Sequence, residues 1–155
     1  MAEKKTVEEM KVAAEKVAAF QKFLDENQIT GFNMEDLGGE AHRHAFRSNL
    51  PVAGQQLPFW IVLDDSVYTM IQIQIVGAIA VADKRERICG FLNDLNEQYQ
   101  VLKYSADAQG NVILSCCIPS GVPHFDPALV IAILNQIQTN LNEIYSELMQ
   151  QLWAK

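Results

Sequence analysis

The most constraining feature of the sequence is the stretch 57–76, in which two dense apolar segments flank a short polar turn. Residues 59–63 are all aromatic or aliphatic, a composition that favours a strand, and the Asp-Asp-Ser sequence at 64–66 is typical of a turn. Residues 67–76 then alternate, with isoleucine at 71, 73 and 75 and glutamine at 72 and 74. Because a strand points successive side chains to opposite faces, this pattern predicts a β-hairpin with one buried face.

The register of the hairpin decides which side chains the buried face contains. A three-residue turn at 64–66 sets Leu63 opposite Val67, and it gathers the apolar residues Phe59, Ile61, Leu63, Val67, Ile71 and Ile73. A two-residue turn would mix the two sets, because a slip of one residue exchanges the faces of a strand. We adopt the three-residue turn because it produces one continuous core.

The opposite face of the hairpin carries a mixed set, Trp60, Val62, Tyr68, Met70, Gln72 and Gln74. If helices cover the apolar face, this second face stays open, and Trp, Tyr and Met are enriched at protein interfaces. The alternative is that the last helix covers it as part of the core. We predict that its first four members contact a partner or a second copy of the chain.

Three helical patterns accompany the strands. The first is predicted over residues 6–27, with a capping box at Thr6 and Glu9 and an apolar stripe at Met10, Ala13, Val17, Phe20 and Leu24. Its solvated face is assigned to Lys11, Glu15, Lys16 and Lys22. Asp83 is the predicted N-cap of the second helix, and Asp126 followed by Pro127 starts the third.

The remaining segments complete an α+β chain. Residues 31–39 are predicted to be loop, 40–49 an edge strand and 51–56 a connection. Strands at 101–105 and 112–118 form a second hairpin. The predicted order is α-β-β-β-α-β-β-α, one mainly antiparallel five-stranded sheet packed against helices in a single domain over residues 1–155.

The third helix is long for such a sheet. At about 26 residues it would measure roughly 39 Å, whereas five strands span only about 19 Å. Its apolar stripe persists through Leu148 and Leu152, so its far end still needs to be buried. A second copy of the chain would cover these two residues, and a diagonal path across the sheet is the alternative.

Charge and hydropathy exclude several partners. The net charge of −7 disfavours nucleic acid, whose phosphates an acidic surface repels, and no Lys/Arg cluster suggests a membrane surface. Apolar runs are too short for a membrane span, and the first residues lack the apolar segment of a signal peptide. With three cysteines expected to be reduced, the predicted location is the cytoplasm.

One short segment offers metal-ligand chemistry. On a strand over 40–49, the side chains of Glu40, His42 and His44 would share one face, and imidazole nitrogen suits zinc or iron. The simpler interpretation is an exposed polar edge, because no downstream set of ligands is evident and His124 lies far along the chain in a predicted loop. Asp64 and Asp65 are likewise interpreted as turn residues rather than as an acid–base pair.

Residues 46–51, 57–75, 117–119 and 124–127 resemble the YbjN-like family of bacterial proteins, which are often described as sensory-transduction regulators. The order of helices and strands is similar to that of class I type III secretion chaperones. Those chaperones are small, acidic dimers that hold a partly unfolded segment of another protein. The resemblance implies their fold and a role in binding polypeptides, and it supplies no catalytic residues.

Three hypotheses follow. The first is a non-catalytic protein-binding module, chaperone-like or a regulatory adaptor, that acts as a cytoplasmic homodimer without a cofactor. The second is a small-molecule-sensing domain with its ligand between helix and sheet, which a large, partly polar internal pocket would favour. The third is a metal-dependent enzyme that uses the His-x-His segment at 42–44.

Overall fold

The computed structural model describes residues 2–77 and 84–154, and side chains from residue 12 onwards. Helix α1 is followed by four strands, then by α2, two further strands and α3. Their bounds are α1 Ala2–Glu26, β1 Asn33–Gly38, β2 Arg43–Val52, β3 Gln55–Leu63, β4 Tyr68–Val76, α2 Arg85–Gln98, β5 Lys103–Ala106, β6 Val112–Pro119 and α3 Pro127–Trp153. Within these residues, no helix is both long and apolar enough to span a membrane.

The described strands form one antiparallel sheet of six strands in the order β1-β2-β3-β4-β6-β5. The predicted α+β class is confirmed, but the prediction of five strands is wrong. Strand β1 lies within 31–39, which was predicted to be loop, and it pairs with β2 from Asn33 opposite Arg47 to Gly38 opposite Arg43. The strand was missed because its Asn, Asp and Gly disfavour strands and its side chains are almost all exposed.

The segment 51–56 is a tight hairpin rather than the predicted connection. Strand β2 continues through Pro51 and Val52, and β3 begins at Gln55. Ala53 and Gly54 both have positive φ, 48° and 78°, as a two-residue type I′ turn requires. Gly54 adopts this conformation without the steric cost that a side chain would add.

The helix ends agree with the sequence only in part. Helix α1 begins at Ala2, so Thr6 lies inside it instead of capping it. The predicted cap Asp83 lies outside the described residues, and Lys84 occupies the N-cap of α2 without a side-chain hydrogen bond. The start of α3 is confirmed, because Asp126 Oδ1 accepts the backbone N–H of Ala128 at 3.0 Å and of Leu129 at 3.3 Å.

Contacts divide the chain into two compact units. The first consists of Met1–Ser48, Trp60–Ile71 and Cys117–Leu134. Its core includes Phe20, whose ring meets that of Phe46 edge-on with centroids 4.7 Å apart and that of Phe32 at 6.0 Å. Such aromatic pairs stabilise a core beyond the area they bury, so they fix α1 against β2.

The second unit consists of Asn49–Phe59, Gln72–Cys116 and Asn135–Lys155. Helix α2 packs on β5, where Asn96 accepts the N–H of Tyr104 at 2.6 Å and donates to its carbonyl at 3.0 Å. Arg87 Nη2 donates to the carbonyls of Gln151 and Ala154 at 3.1 and 3.0 Å. These bonds satisfy carbonyls that the end of α3 would otherwise leave unpaired.

The far end of α3 is buried within the single chain. Leu148 and Leu152 each have 0% of their surface exposed. The exposed stripe that suggested a dimer contact at these two residues is not found, and the contact itself stays a prediction.

Candidate functional site

The two faces of the β3–β4 hairpin differ in burial as the sequence predicts. Phe59, Ile61, Leu63, Ile71 and Ile73 are between 0% and 3% exposed, while the side chains that alternate with them are half-buried or exposed. Val67 departs from the prediction, because it is 61% exposed. It precedes β4, and its carbonyl accepts the backbone N–H of Ser120 at 2.7 Å.

The second face, which we call the Trp60 face, consists of Trp60, Val62, Tyr68 and Met70. All four residues belong to the first unit. Tyr68 is 51% exposed, and the other three are half-buried. Apolar and aromatic side chains that stay accessible in this way mark candidate interaction surfaces.

Two pairs of opposite charges accompany the Trp60 face. The Arg47 guanidinium lies over the indole of Trp60 at 5.7 Å from its centroid, and it is paired with Glu35 at 2.9 Å. Arg43 Nε lies 3.9 Å from Asp64 Oδ2. Strand alternation places both arginines on one face of β2. This part of an acidic chain is therefore locally balanced in charge.

Lys16 is a buried cation in the first unit. It was assigned to the solvated face of α1, and that prediction is wrong, because Lys16 is 0% exposed. Its Nζ donates to the carbonyls of Ser66 at 2.6 Å and Tyr68 at 3.3 Å. Burial lowers the pKa of Lys16, and the Asp64 and Asp65 carboxylates raise it in part.

Asp65 connects three segments of the first unit. Its side chain is 8% exposed; Oδ1 accepts the Ala13 N–H of α1 at 3.0 Å, and Oδ2 accepts His42 Nδ1–H at 2.5 Å. The Asp65 N–H donates to the Ala41 carbonyl at 3.0 Å. Asp64 is the turn former, because its Oδ1 accepts the N–H and hydroxyl of Ser66.

The geometry assumed for a metal site is absent. Glu40 and His42 lie in the turn between β1 and β2, and His42 has the left-handed φ of 49°. The shared strand face predicted for Glu40, His42 and His44 is therefore wrong, since β2 begins only at Arg43. Among the residues that the structure describes, no group of three His, Cys, Asp or Glu side chains is placed to hold a metal ion.

A groove lies between α1 and the β1–β2 hairpin, and we call it the α1 groove. Its volume is about 540 Å³, within the usual range of roughly 300–1,000 Å³ for small-molecule pockets. One wall is Ala13, Ala14, Val17 and Ala18 of α1, and Met34 adds a further apolar side chain. Four polar residues complete the lining, Gln21, Asp36, His42 and His44.

Comparison with known proteins adds no relative. No protein-family model matches the chain, and no curated protein matches it. The resemblance to the YbjN-like family and to secretion chaperones therefore stays a prediction.

The burial of Lys16 predicts a dependence of stability on pH. Its pKa is lowered in the folded chain from the ordinary 10.5, so above the folded pKa the unfolded state binds more protons and stability rises with pH. Urea unfolding should show wild type gaining stability relative to Lys16→Met from that lowered pKa up to 10.5. The other titrating groups cancel in this difference. A difference that stays flat or falls with pH would contradict the shift.

Proposed function

We propose that this chain is a non-catalytic protein-binding module, and that its Trp60 face binds a second copy of the chain. The observation that supports it is the cluster of Trp60, Val62, Tyr68 and Met70, half-buried or exposed, on a hairpin whose other face is buried. Trp, Tyr, Met and Arg are the residue types that protein interfaces favour. The bacterial, cytoplasmic role of chaperone or regulatory adaptor is a further proposal that rests on the family resemblance.

Charge is the reason for choosing a second copy as the occupant. Two chains of net charge −7 repel one another, so their contact must be neutral locally. The Trp60 face offers one such place, since Arg47 accompanies Glu35 and Arg43 accompanies Asp64. In a two-fold symmetric interface, a contact between residue i of one copy and residue j of the other is always made twice. Arg47 of each copy can therefore pair with Glu35 of the other.

Sedimentation equilibrium across a range of protein concentrations tests the proposal. Wild type should dimerise at micromolar concentrations, and Trp60→Ala combined with Met70→Ala should raise the dissociation constant about thirtyfold, the effect of losing a hot-spot contact of about 2 kcal/mol. Circular dichroism and urea unfolding of the monomer should show that the double variant keeps its fold.

Trp153→Ala is the matched control, because it removes the only other tryptophan, whose side chain is 57% exposed. It should leave the dissociation constant unchanged. A wild type that stays monomeric up to about 200 µM, far above a typical specific affinity, would contradict self-association. If a pull-down then captures a polypeptide that the double variant loses, the occupant of the Trp60 face is a different protein.

The α1 groove supports a second candidate function, a domain that senses a small molecule. The groove lies between α1 and the β1–β2 hairpin and has an apolar and a polar lining. It is an open groove rather than the internal pocket that the sequence predicts for such a domain. The two functions are compatible, because the groove and the Trp60 face use different residues of the first unit. The metal-enzyme hypothesis gains no such support.

A further inference from the structure

The polar lining of the α1 groove presents hydrogen-bond acceptors. His42 Nδ1 faces the Asp65 carboxylate at 2.5 Å, and His44 Nδ1 faces the His42 carbonyl at 2.9 Å. Both partners accept hydrogen bonds, so both Nδ1 atoms carry the proton. In the neutral imidazole the other nitrogen, Nε2, then has a lone pair and can only accept.

The two remaining polar groups have the same character. Gln21 Nε2 donates one of its two N–H groups to Asp25 Oδ1 at 2.9 Å, and its carbonyl oxygen is an acceptor. Asp36 Oδ1 accepts the Gly38 N–H at 2.8 Å, and this bond orients the carboxylate. All four polar side chains of the groove therefore offer acceptors, and one of them is an anion.

One gap in this lining has the size for a single donor. His44 Nε2 and Asp36 Oδ2 are 3.8 Å apart, which is too far for a direct hydrogen bond. A nitrogen with at least two N–H groups, placed about 2.8 Å from each atom, would donate one N–H to each. A protonated amine supplies several N–H donors together with a positive charge beside the Asp36 carboxylate.

We infer that the α1 groove binds a small amphipathic amine, with its ammonium head between Asp36 and His44. Its hydrocarbon part lies along the wall formed by Ala14, Val17 and Ala18, whose side chains are all apolar. The inference rests on the second candidate function and names the class of molecule that would be sensed. It is independent of the Trp60 face.

Three probes that differ only in the head group test this inference, namely hexylamine, hexan-1-ol and hexanoate. Binding is followed by NMR at one fixed pH for all three probes, through the histidine ring and alanine methyl signals. Hexylamine should bind most tightly, with a dissociation constant on the order of millimolar for so small a molecule. Hexan-1-ol should bind more weakly, and hexanoate least.

Substitution of Asp36 separates the head group from the hydrocarbon part. Asp36→Asn should weaken hexylamine about threefold, because Asp36 is 69% exposed and an exposed ion pair contributes less than about 1 kcal/mol, and it should leave hexan-1-ol unchanged. Glu26→Gln is the control, since it removes one negative charge from an exposed residue of α1 that belongs neither to the groove lining nor to the Trp60 face. If Glu26→Gln weakens hexylamine as much as Asp36→Asn does, the amine is responding to net charge and the inference fails.

The outcomes distinguish the amine from the groove itself. If hexanoate or hexan-1-ol binds more tightly than hexylamine, the α1 groove is a small-molecule site but the amine class is wrong. If none of the three probes shifts the signals at about 20 mM, well above the affinity expected for such fragments, the inference and the sensing function both fail. Ala18→Leu, which fills the wall, should abolish any specific binding.

Discussion

Asp65→Ala should lower the free energy of unfolding by about 3 kcal/mol, because it removes a buried carboxylate with two hydrogen-bonded partners and a cation nearby. Oδ1 and Oδ2 accept Ala13 N–H and His42 Nδ1–H. The change also removes one of the two carboxylates that raise the pKa of Lys16. The buried ammonium then keeps its cost of burial with less compensation. Urea unfolding at neutral pH measures the loss.

Asp65→Asn separates the charge from the hydrogen bonds. Its amide oxygen can still accept the Ala13 N–H, so the loss should be smaller, about 1–2 kcal/mol. The amide nitrogen next to His42 would move the ring proton from Nδ1 to Nε2, a change visible in the ¹⁵N shifts of the imidazole. If Asp65→Ala costs less than about 0.5 kcal/mol, as an ordinary surface change does, Asp65 is only a turn residue.

The alternation of residues 67–76 predicted the buried face of the hairpin, because burial follows the two-residue period of a strand. Phe59, Ile61, Ile71 and Ile73 all lie on that face. Strand β1 carries no such signal, since both of its faces are largely exposed at the edge of the sheet. Its pairing with β2 rests on backbone hydrogen bonds, which any sequence can form.

Lys16 illustrates a different failure. It lies three residues after Ala13 and four before Phe20, so helical spacing places it on the buried stripe of α1. Residue type led to its assignment to solvent, although the spacing indicated the core. The sequence does not show which of Asp64 and Asp65 is the turn residue and which is the buried acceptor, because a small change in backbone direction would exchange the two roles.

The lining of the α1 groove could not be predicted either, because Met34 and Asp36 belong to β1, the strand that the sequence analysis missed.

Taken together, the buried network and the two accessible surfaces of the first unit depend on common residues. Asp65 holds His42 at the polar end of the α1 groove, and Lys16 bonds to the carbonyl of Tyr68, a member of the Trp60 face. The backbone that presents Tyr68 is thus fixed from the side of α1. Hydrogen bonds that hold this backbone in place before binding would lower the entropy lost when a partner binds.

Leu148→Ala should cost about 3 kcal/mol of unfolding free energy, the usual effect of creating a cavity at a fully buried leucine. Leu148 is 0% exposed within the single chain, whereas Trp153 on the same helix is 57% exposed. Trp153→Ala should therefore change stability by less than about 0.5 kcal/mol.

Unfolding followed at about 2 and 100 µM protein distinguishes core from interface, because a contact between copies makes the midpoint depend on concentration. A loss at Leu148 that disappears at low protein concentration would return this end of α3 to a dimer interface. An equal loss at both concentrations would place Leu148 in the core and leave the Trp60 face as the surface for self-association.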